Sequence, residues 1–288
     1  MRYVDGLRAP AVVEALGRAI RAATTRPWTI MEICGGQTHT IARYGLEALI
    51  GDVTLVHGPG CPVCVTPLEV LERARRLALA PGVVLHTFGD MLRVPGAQGD
   101  LLDARSRGEE VKILSSPWDA VTRAREDPAR QHVLFAVGFE TTAPTTAAVI
   151  ELAAELGVEN LSVLASHVRV PPAIEALLAR PDHRIDGFLA AGHVCTVEGF
   201  DRGYPALAAR FGVPIVVTGF EPVDLMRGVL ACVRRLEAGE PVVDNAYARA
   251  VRPEGNPHAR AAVEWGFEVV DRPWRGPGVI AGGGPAHR

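Results

Sequence analysis

The chain has 288 residues, 48% of them hydrophobic, enough apolar surface for one large core or two of ordinary size. Its 30 Lys and Arg nearly balance 33 Asp and Glu, a formal charge of −3. With no basic run interleaved with aromatics, the balance argues against nucleic acid or an anionic membrane as partner.

No stretch reaches the roughly 20 apolar residues a membrane span needs. The start of the chain (Arg2, Asp5, Arg8) is charged and carries no apolar signal core, so a cytoplasmic protein is expected. In that reducing setting the five cysteines (34, 61, 64, 195 and 232) stay mostly as thiols, and their odd number and close CxxC pair favour metal or redox chemistry over a disulfide framework.

In chain order, β-branched or apolar runs fall at 28–33, 53–57, 83–87, 111–114, 133–137, 161–165, 185–190 and 214–218. Helical segments rich in Ala, Leu, Arg and Glu, such as 68–80 and 147–156, separate most of them. Buried runs alternating with helices predict βαβ units and parallel sheets, an α/β fold. Counting leaves open a (β/α)8 barrel or two open sheets with helices on both faces. The polar stretch 123–131, with Asp127-Pro128, is the expected domain boundary, giving domains 1–125 and 126–240 and a C-terminal extension 241–288. Residues 252–288 are rich in Gly and Pro, and 280–288 read as unstructured.

Unusual residues collect just after the predicted strands, where parallel α/β folds place their ligand sites. Cys34 follows the first strand and precedes Gly35-Gly36, which let a ligand approach the backbone. A helix N-terminus there favours the thiolate, although a merely buried Cys34 fits the spacing as well. Cys61 and Cys64 occupy a turn stiffened by Pro59 and Pro62. Thr66-Pro67-Leu68-Glu69 reads as a capping box, so a helix is expected to begin directly after Cys64. No second CxxC or HxxxH completes a zinc site, which leaves reversible redox chemistry or transient metal use.

His39, His57, His86, His167 and His193 all fall at or near predicted strand ends, where imidazole suits metal binding or proton transfer. Glu140-Thr141-Thr142 precedes a helix opened by Pro144. The trio either binds an anion or orients a partner group, or Thr142 simply caps the helix. Cys195 is expected in a loop and Cys232 inside a core helix. No P-loop, GxGxxG, HExxH or GxSxG element is present.

Several of these segments together resemble the HypD family. They are Met31-Glu32-Ile33-Cys34-Gly35-Gly36-Gln37-Thr38-His39, His57-Gly58-Pro59-Gly60-Cys61-Pro62-Val63-Cys64 and Phe88-Gly89-Asp90-Met91-Leu92-Arg93-Val94-Pro95-Gly96. Gly138-Phe139-Glu140-Thr141-Thr142-Ala143-Pro144, Gly192-His193-Val194 and Gly219-Phe220-Glu221-Pro222 follow in order, and Asp244-Asn245-Ala246-Tyr247, Glu254-Gly255-Asn256 and Trp274-Arg275-Gly276 extend the match. The resemblance implies two similar open-sheet α/β domains facing a shared cleft. It also implies a scaffold, rather than a turnover enzyme, for the Fe(CN)2CO unit of [NiFe] hydrogenase.

Carried onto this chain, the resemblance makes Cys34 the iron ligand and Cys61 and Cys64 a redox-active pair. A HypC-type chaperone supplies the other thiolate, a HypE-type protein supplies cyanide, and the hydrogenase large subunit receives the iron. His39, Glu140, Thr141 and Thr142 are the expected reacting or orienting groups, and Gly35, Gly36, Asp90 and His193 the expected cofactor-binding ones. Gln37 stands where some members have histidine. The family's C-terminal [4Fe–4S] segment has no counterpart after Cys232, so the sequence reads either as truncated before it or as a cluster-less variant. A thiol–disulfide oxidoreductase using Cys61 and Cys64, with Cys34 as resolving thiol, and a stable metalloenzyme are the competing readings.

Overall fold

The structure, a computed structural model, describes residues 5–287, the side chain of residue 287 excepted. Arg2 and residue 288, both included in expectations above, lie outside the described residues. In chain order the elements begin with α1 (Pro10–Ala23), β1 (Trp28–Glu32), α2 (Gly35–Tyr44), β2 (Val53–His57), α3 (Pro62–Val65) and α4 (Leu68–Ala78). They continue through β3 (Val83–Thr87), α5 (Leu101–Ser106), β4 (Val111–Ile113), α6 (Trp118–Glu126), β5 (Gln131–Gly138), α7 (Ala143–Glu155), β6 (Leu161–His167) and α8 (Val170–Leu178). The remainder are β7 (Gly187–Ala191), α9 (Gly192–Glu198), α10 (Tyr204–Phe211), β8 (Ile215–Thr218), α11 (Pro222–Ala238), β9 (Val243–Asn245), α12 (Pro257–Gly266), β10 (Phe267–Trp274) and β11 (Gly278–His287).

The chain divides into two compact units, Met1–Cys61 with Ala173–Pro257 and Pro62–Pro172 with His258–Arg288. The first is built on a parallel sheet in the order β2-β1-β7-β8-β9, the second on a parallel sheet in the order β4-β3-β5-β6. The fold is therefore α/β with open sheets, and no closed barrel occurs among the described residues. Each unit starts in the same way. Its second strand lies outside its first, and its third and fourth strands extend on the other side.

All eight predicted strands are present, with ends shifted by a residue or two. The boundary expected at residues 125–126 instead falls inside the second unit, between α6 and β5. Strand pairing explains the difference: β3 and β5 share one sheet across that boundary, whereas β1 pairs with the distant β7. A polar linker in sequence is thus only a surface loop.

Burial follows sheet position. The central strands β7 and β8 are buried at every residue, as strands covered on both faces must be. Towards the edge, β1 alternates, with Trp28, Ile30 and Glu32 buried. One apolar cluster joins Val13 and Ile20 of α1, Ile30, Ile41, Val216 and Val229, so α1 and α11 cover one face of the first sheet. In the second unit, Leu71, Leu85, Met91, Val111 and Phe135 form the corresponding cluster.

Three local expectations are corrected. Residues 280–288 are not irregular: up to residue 287 they lie in β11, which pairs antiparallel with β10. Trp274 and Ile280 are each only 3% exposed there, and the Trp274 indole N–H donates to the Gly283 carbonyl at 3.2 Å. The Thr66–Glu69 capping box does not form. Thr66 instead donates its hydroxyl to the Pro62 carbonyl at 2.8 Å, Pro67 is the N-cap, and Cys64 lies inside the one-turn helix α3. Cys195 sits within α9 rather than a loop and is fully buried.

Candidate functional site

A parallel sheet opens a crevice where neighbouring strands leave in opposite directions. In the first unit that point lies between β1 and β7, in the second between β3 and β5. The residues singled out in sequence sort onto these two points. Cys34, Gly35, Gly36 and His193 follow β1 and β7, whereas Asp90, Glu140, Thr141 and Thr142 follow β3 and β5.

Cys34 continues β1 in extended conformation (φ −147°, ψ 131°) and is the N-cap of α2. Alternation along an extended chain puts Glu32 and Cys34 on one side and turns Ile33, 2% exposed, into the core. The buried Glu32 carboxylate accepts the Cys34 backbone N–H at 2.8 Å, the Thr38 hydroxyl, and the His57 Nδ1–H at 2.7 Å. His57 reaches it because Glu32 and His57 are register partners at the ends of β1 and β2.

The turn after β2 is stitched to the same junction. Gly58 N–H donates to the Glu32 carbonyl at 2.8 Å, and Gly35 N–H to the Gly60 carbonyl at 3.4 Å. This turn delivers Cys61 close enough to Cys34 for its charge to raise the Cys34 thiol. A Cβ on Gly36 would lie 3.1 Å from the Phe220 ring and 3.8 Å from Cys34 Sγ. Phe220 in turn packs on the His193 ring, with centroids 5.1 Å apart. Cys34, Gly36, Phe220 and His193 are therefore contiguous across the crevice of the first unit.

The electrostatics of Cys34 differ from the sequence expectation. Burial raises its thiol above the ordinary range, and the Glu32 carboxylate adds to the rise. The N–H groups of Gly36 and Gln37 at the start of α2 pull the other way without winning. Cys34 is thus held as a thiol until something displaces its proton. Burial also makes His193 less basic than usual, and its Nδ1 has no hydrogen-bond partner among the described residues.

Gln37 is a structural group. Fully buried, it accepts from Ile33 N–H at 3.2 Å and donates to the Thr218 hydroxyl at 2.6 Å, tying α2 to β1 and β8. His39 is exposed on α2. The imidazole joined to the Cys34 network is His57, and the carboxylate joining them, Glu32, was not singled out in sequence. The signal available was Glu32 itself, a charged residue closing a buried strand.

The second unit holds a pocket of about 380 Å³ lined by Phe88, Asp90, Met91, Pro117, Thr142 and His167, among others. Burial pushes His167 down to about 3, so it stays neutral, with Nε2 3.3 Å from the Thr146 hydroxyl. Glu140 is committed to structure, accepting the Val170 N–H at 2.7 Å. Thr142 occupies the N-cap position of α7, but its hydroxyl donates backwards to the Phe139 carbonyl at 3.1 Å, so side-chain capping is not its role. Thr141 is half-buried beside it. Cys61 is half-buried and Cys64 exposed, whereas Cys195 and Cys232 are buried, and burial raises the Cys232 thiol far above its usual range.

No group of three or more His, Cys, Asp or Glu side chains among the described residues is arranged to hold a metal ion. A [4Fe–4S] cluster does not fit these residues: it takes four thiolates, and two of the five cysteines are sealed inside α9 and α11.

Fold and site together define a class: a parallel α/β protein with a thiol at its first switch point and Cys61 beside it. The HypD family, described as "Hydrogenase formation hypA family", matches residues 11–288, and the chain belongs to that family. It is 43% identical to hydrogenase maturation factor HypD2 of Bradyrhizobium diazoefficiens, over 97% of this chain and 76% of that protein. It is 45% identical to hydrogenase maturation factor HypD of Azotobacter vinelandii, over 97% and 76%, respectively. To hydrogenase maturation factor HypD of Escherichia coli it is 44% identical, over 99% of this chain and 78% of that protein.

Proposed function

We propose that this chain acts in hydrogenase maturation, in the cytoplasm, as a scaffold on which the Fe(CN)2CO unit is assembled. The observation that carries the reading is the Cys34 thiol at the first switch point, flanked by glycine backbone and the N–H groups of Gly36 and Gln37. Family membership supports it. The iron is cargo. Thiolate is a soft ligand suited to iron bearing CO and cyanide, and binding releases the Cys34 proton.

In this reading a HypC-type chaperone contributes a second thiolate, a HypE-type donor supplies cyanide, and the hydrogenase large subunit receives the finished unit. Cys61 and Cys64 are a dithiol able to close to a disulfide, giving two electrons to an acceptor brought by a partner and two protons to solvent. Gly35, Gly36 and His193 border the cargo. Asp90, Thr141 and Thr142 are candidates for orienting a partner group at the second switch point.

The test is infrared spectroscopy of the chain co-purified with a HypC-type partner. CO and cyanide stretching bands are expected, and Cys34→Ala is expected to remove them. Bands that survive in Cys34→Ala but vanish in Cys61→Ala would reverse the roles. Absence of the bands together with fast dithiol exchange at Cys61 and Cys64 would favour a thiol–disulfide oxidoreductase.

A further inference from the structure

The pocket of the second unit carries chemistry that the reading of Cys34 does not use. It lies outside the carboxyl ends of β3 and β5, where an open parallel sheet takes its ligands. Its volume of about 380 Å³ is that of a small-molecule site. Asp90 and Thr142 among its lining residues are exposed, whereas His167 is only 1% exposed, so the space runs from the surface to a buried imidazole. Phe88, Met91, Pro117 and Val137 supply apolar walls.

The hydrogen bonds of His167 define what that imidazole lacks. The Thr146 hydroxyl donates its single proton to the Thr142 carbonyl at 3.3 Å. Towards His167 Nε2, also at 3.3 Å, the hydroxyl is therefore the acceptor, and Nε2 carries the ring proton. Nδ1 is left with a lone pair and has no hydrogen-bond partner among the described residues. A buried acceptor without a donor is costly. The Phe267 ring, packed at a steep angle with centroids 5.7 Å apart, helps to hold the imidazole in place.

Charge narrows the ligand further. Among the described residues no Lys or Arg lines the pocket, and the Asp90 carboxylate repels an anion. The charge of Arg272 reaches His167 and disfavours a cation beside it, as do the apolar walls. We propose that this pocket binds a small uncharged molecule with an apolar body and an N–H or O–H group, the body against Phe88, Met91 and Pro117 and the donor on His167 Nδ1. The inference is independent of the role of Cys34.

The test uses two bicyclic probes of nearly equal size and shape: indole, which carries an N–H, and indene, which does not. Dissociation constants for the whole chain are read by ligand-observed NMR, with thermal melts of each variant in parallel. Indole is expected to bind about 5–10-fold more tightly than indene, the contribution of one hydrogen bond to an otherwise unpaired acceptor. His167→Gln is expected to remove that preference, because the Gln amide reaches Thr146 as Nε2 does and leaves no acceptor in place of Nδ1. Thr145→Phe puts a ring into the pocket from the first turn of α7 and is expected to abolish binding of both probes. It fixes the location should His167→Gln not fold. The proposal is overturned if the unmodified chain does not bind indole, or binds the two probes within twofold of each other. It is equally overturned if the preference survives in His167→Gln, or if Thr145→Phe binds indole within twofold of the unmodified chain.

Discussion

Gly60 lies so close to Ile33 that a Cβ on it would stand 2.2 Å from the Ile33 carbonyl oxygen and 2.6 Å from the Cys34 Cα. Both neighbours are backbone, so neither can swing aside, and the turn that carries Cys61 is fixed against the start of α2. Gly60→Ala is expected to destabilise the first unit by about 1–3 kcal/mol, as overpacking does. It should also weaken the CO and cyanide bands that depend on Cys34 more than its effect on stability explains. Urea denaturation alongside infrared spectra checks both.

A second prediction concerns acid. His86 Nε2 lies 2.8 Å from His132 Nδ1 in the second unit, and the rings stack with centroids 5.1 Å apart. His132 Nε2–H donates to the Asp127 carbonyl at 3.3 Å, which leaves His132 Nδ1 to accept from His86 Nε2–H. Burial, helped by the neighbouring His132, lowers His86 to about 4. The unfolded chain, with histidine near 6.5, binds the proton first, so stability falls as pH drops from about 6.5 to about 4. His167, lowered to about 3, extends the loss further down. Urea midpoints are expected to be flat above pH 7.5 and to decline steadily between pH 6.5 and 4. A profile unchanged down to pH 4.5 contradicts the buried neutral pair.

Thiol reactivity provides a third. Because burial and Glu32 hold the Cys34 thiol above its ordinary range, its alkylation at pH 7.5 should be slow. The midpoint of its rate profile should exceed the ~8.5 of an unhindered cysteine. Peptide-resolved mass spectrometry after timed iodoacetamide treatment reads this directly. A midpoint below 8 would show that the helix N-terminus prevails after all.

The β10–β11 hairpin supplies a fourth. Trp274 is 3% exposed and its indole N–H is bonded to Gly283, while Arg169 N–H after β6 donates to the same carbonyl at 2.9 Å. Trp274→Ala is expected to cost about 3–5 kcal/mol. Trp274→Phe, which keeps most of the packing and loses the hydrogen bond, should cost about 1 kcal/mol. Equal losses in the two variants would mean that the hydrogen bond, not the packing, holds the hairpin.

What the sequence reveals here follows from where each signal comes from. Eight of the nine parallel strands among the described residues were legible because buried strands in such sheets are short apolar runs flanked by helices, a pattern local to the chain; the three-residue edge strand β9 was not. Strand partnership was not, because nothing in residues 28–32 indicates that β1 will pair with residues 187–189 rather than with β3. The hairpin was missed because Gly282-Gly283-Gly284 reads as loop unless the opposite strand is known. Cys34 and the CxxC turn stood out by residue type and spacing. Glu32 did not, and His57 was only one of five histidines at strand ends, since their meeting depends on the register of β1 against β2. Gln37 looked like a substituted histidine, yet buried contacts with two strands define its role.

The order of strands also sets an order of assembly. The sheet of the second unit draws on residues 83–167, one uninterrupted stretch, and its strands can pair as soon as that stretch exists. The sheet that carries Cys34 must wait, because its middle strand β7 and the loop bearing Phe220 come only after the whole of that stretch. During synthesis the thiol emerges early and stays unsheltered while its future neighbours are still to be made. The surroundings of the thiol, Phe220 and His193 among them, exist only once the chain has been made past residue 220.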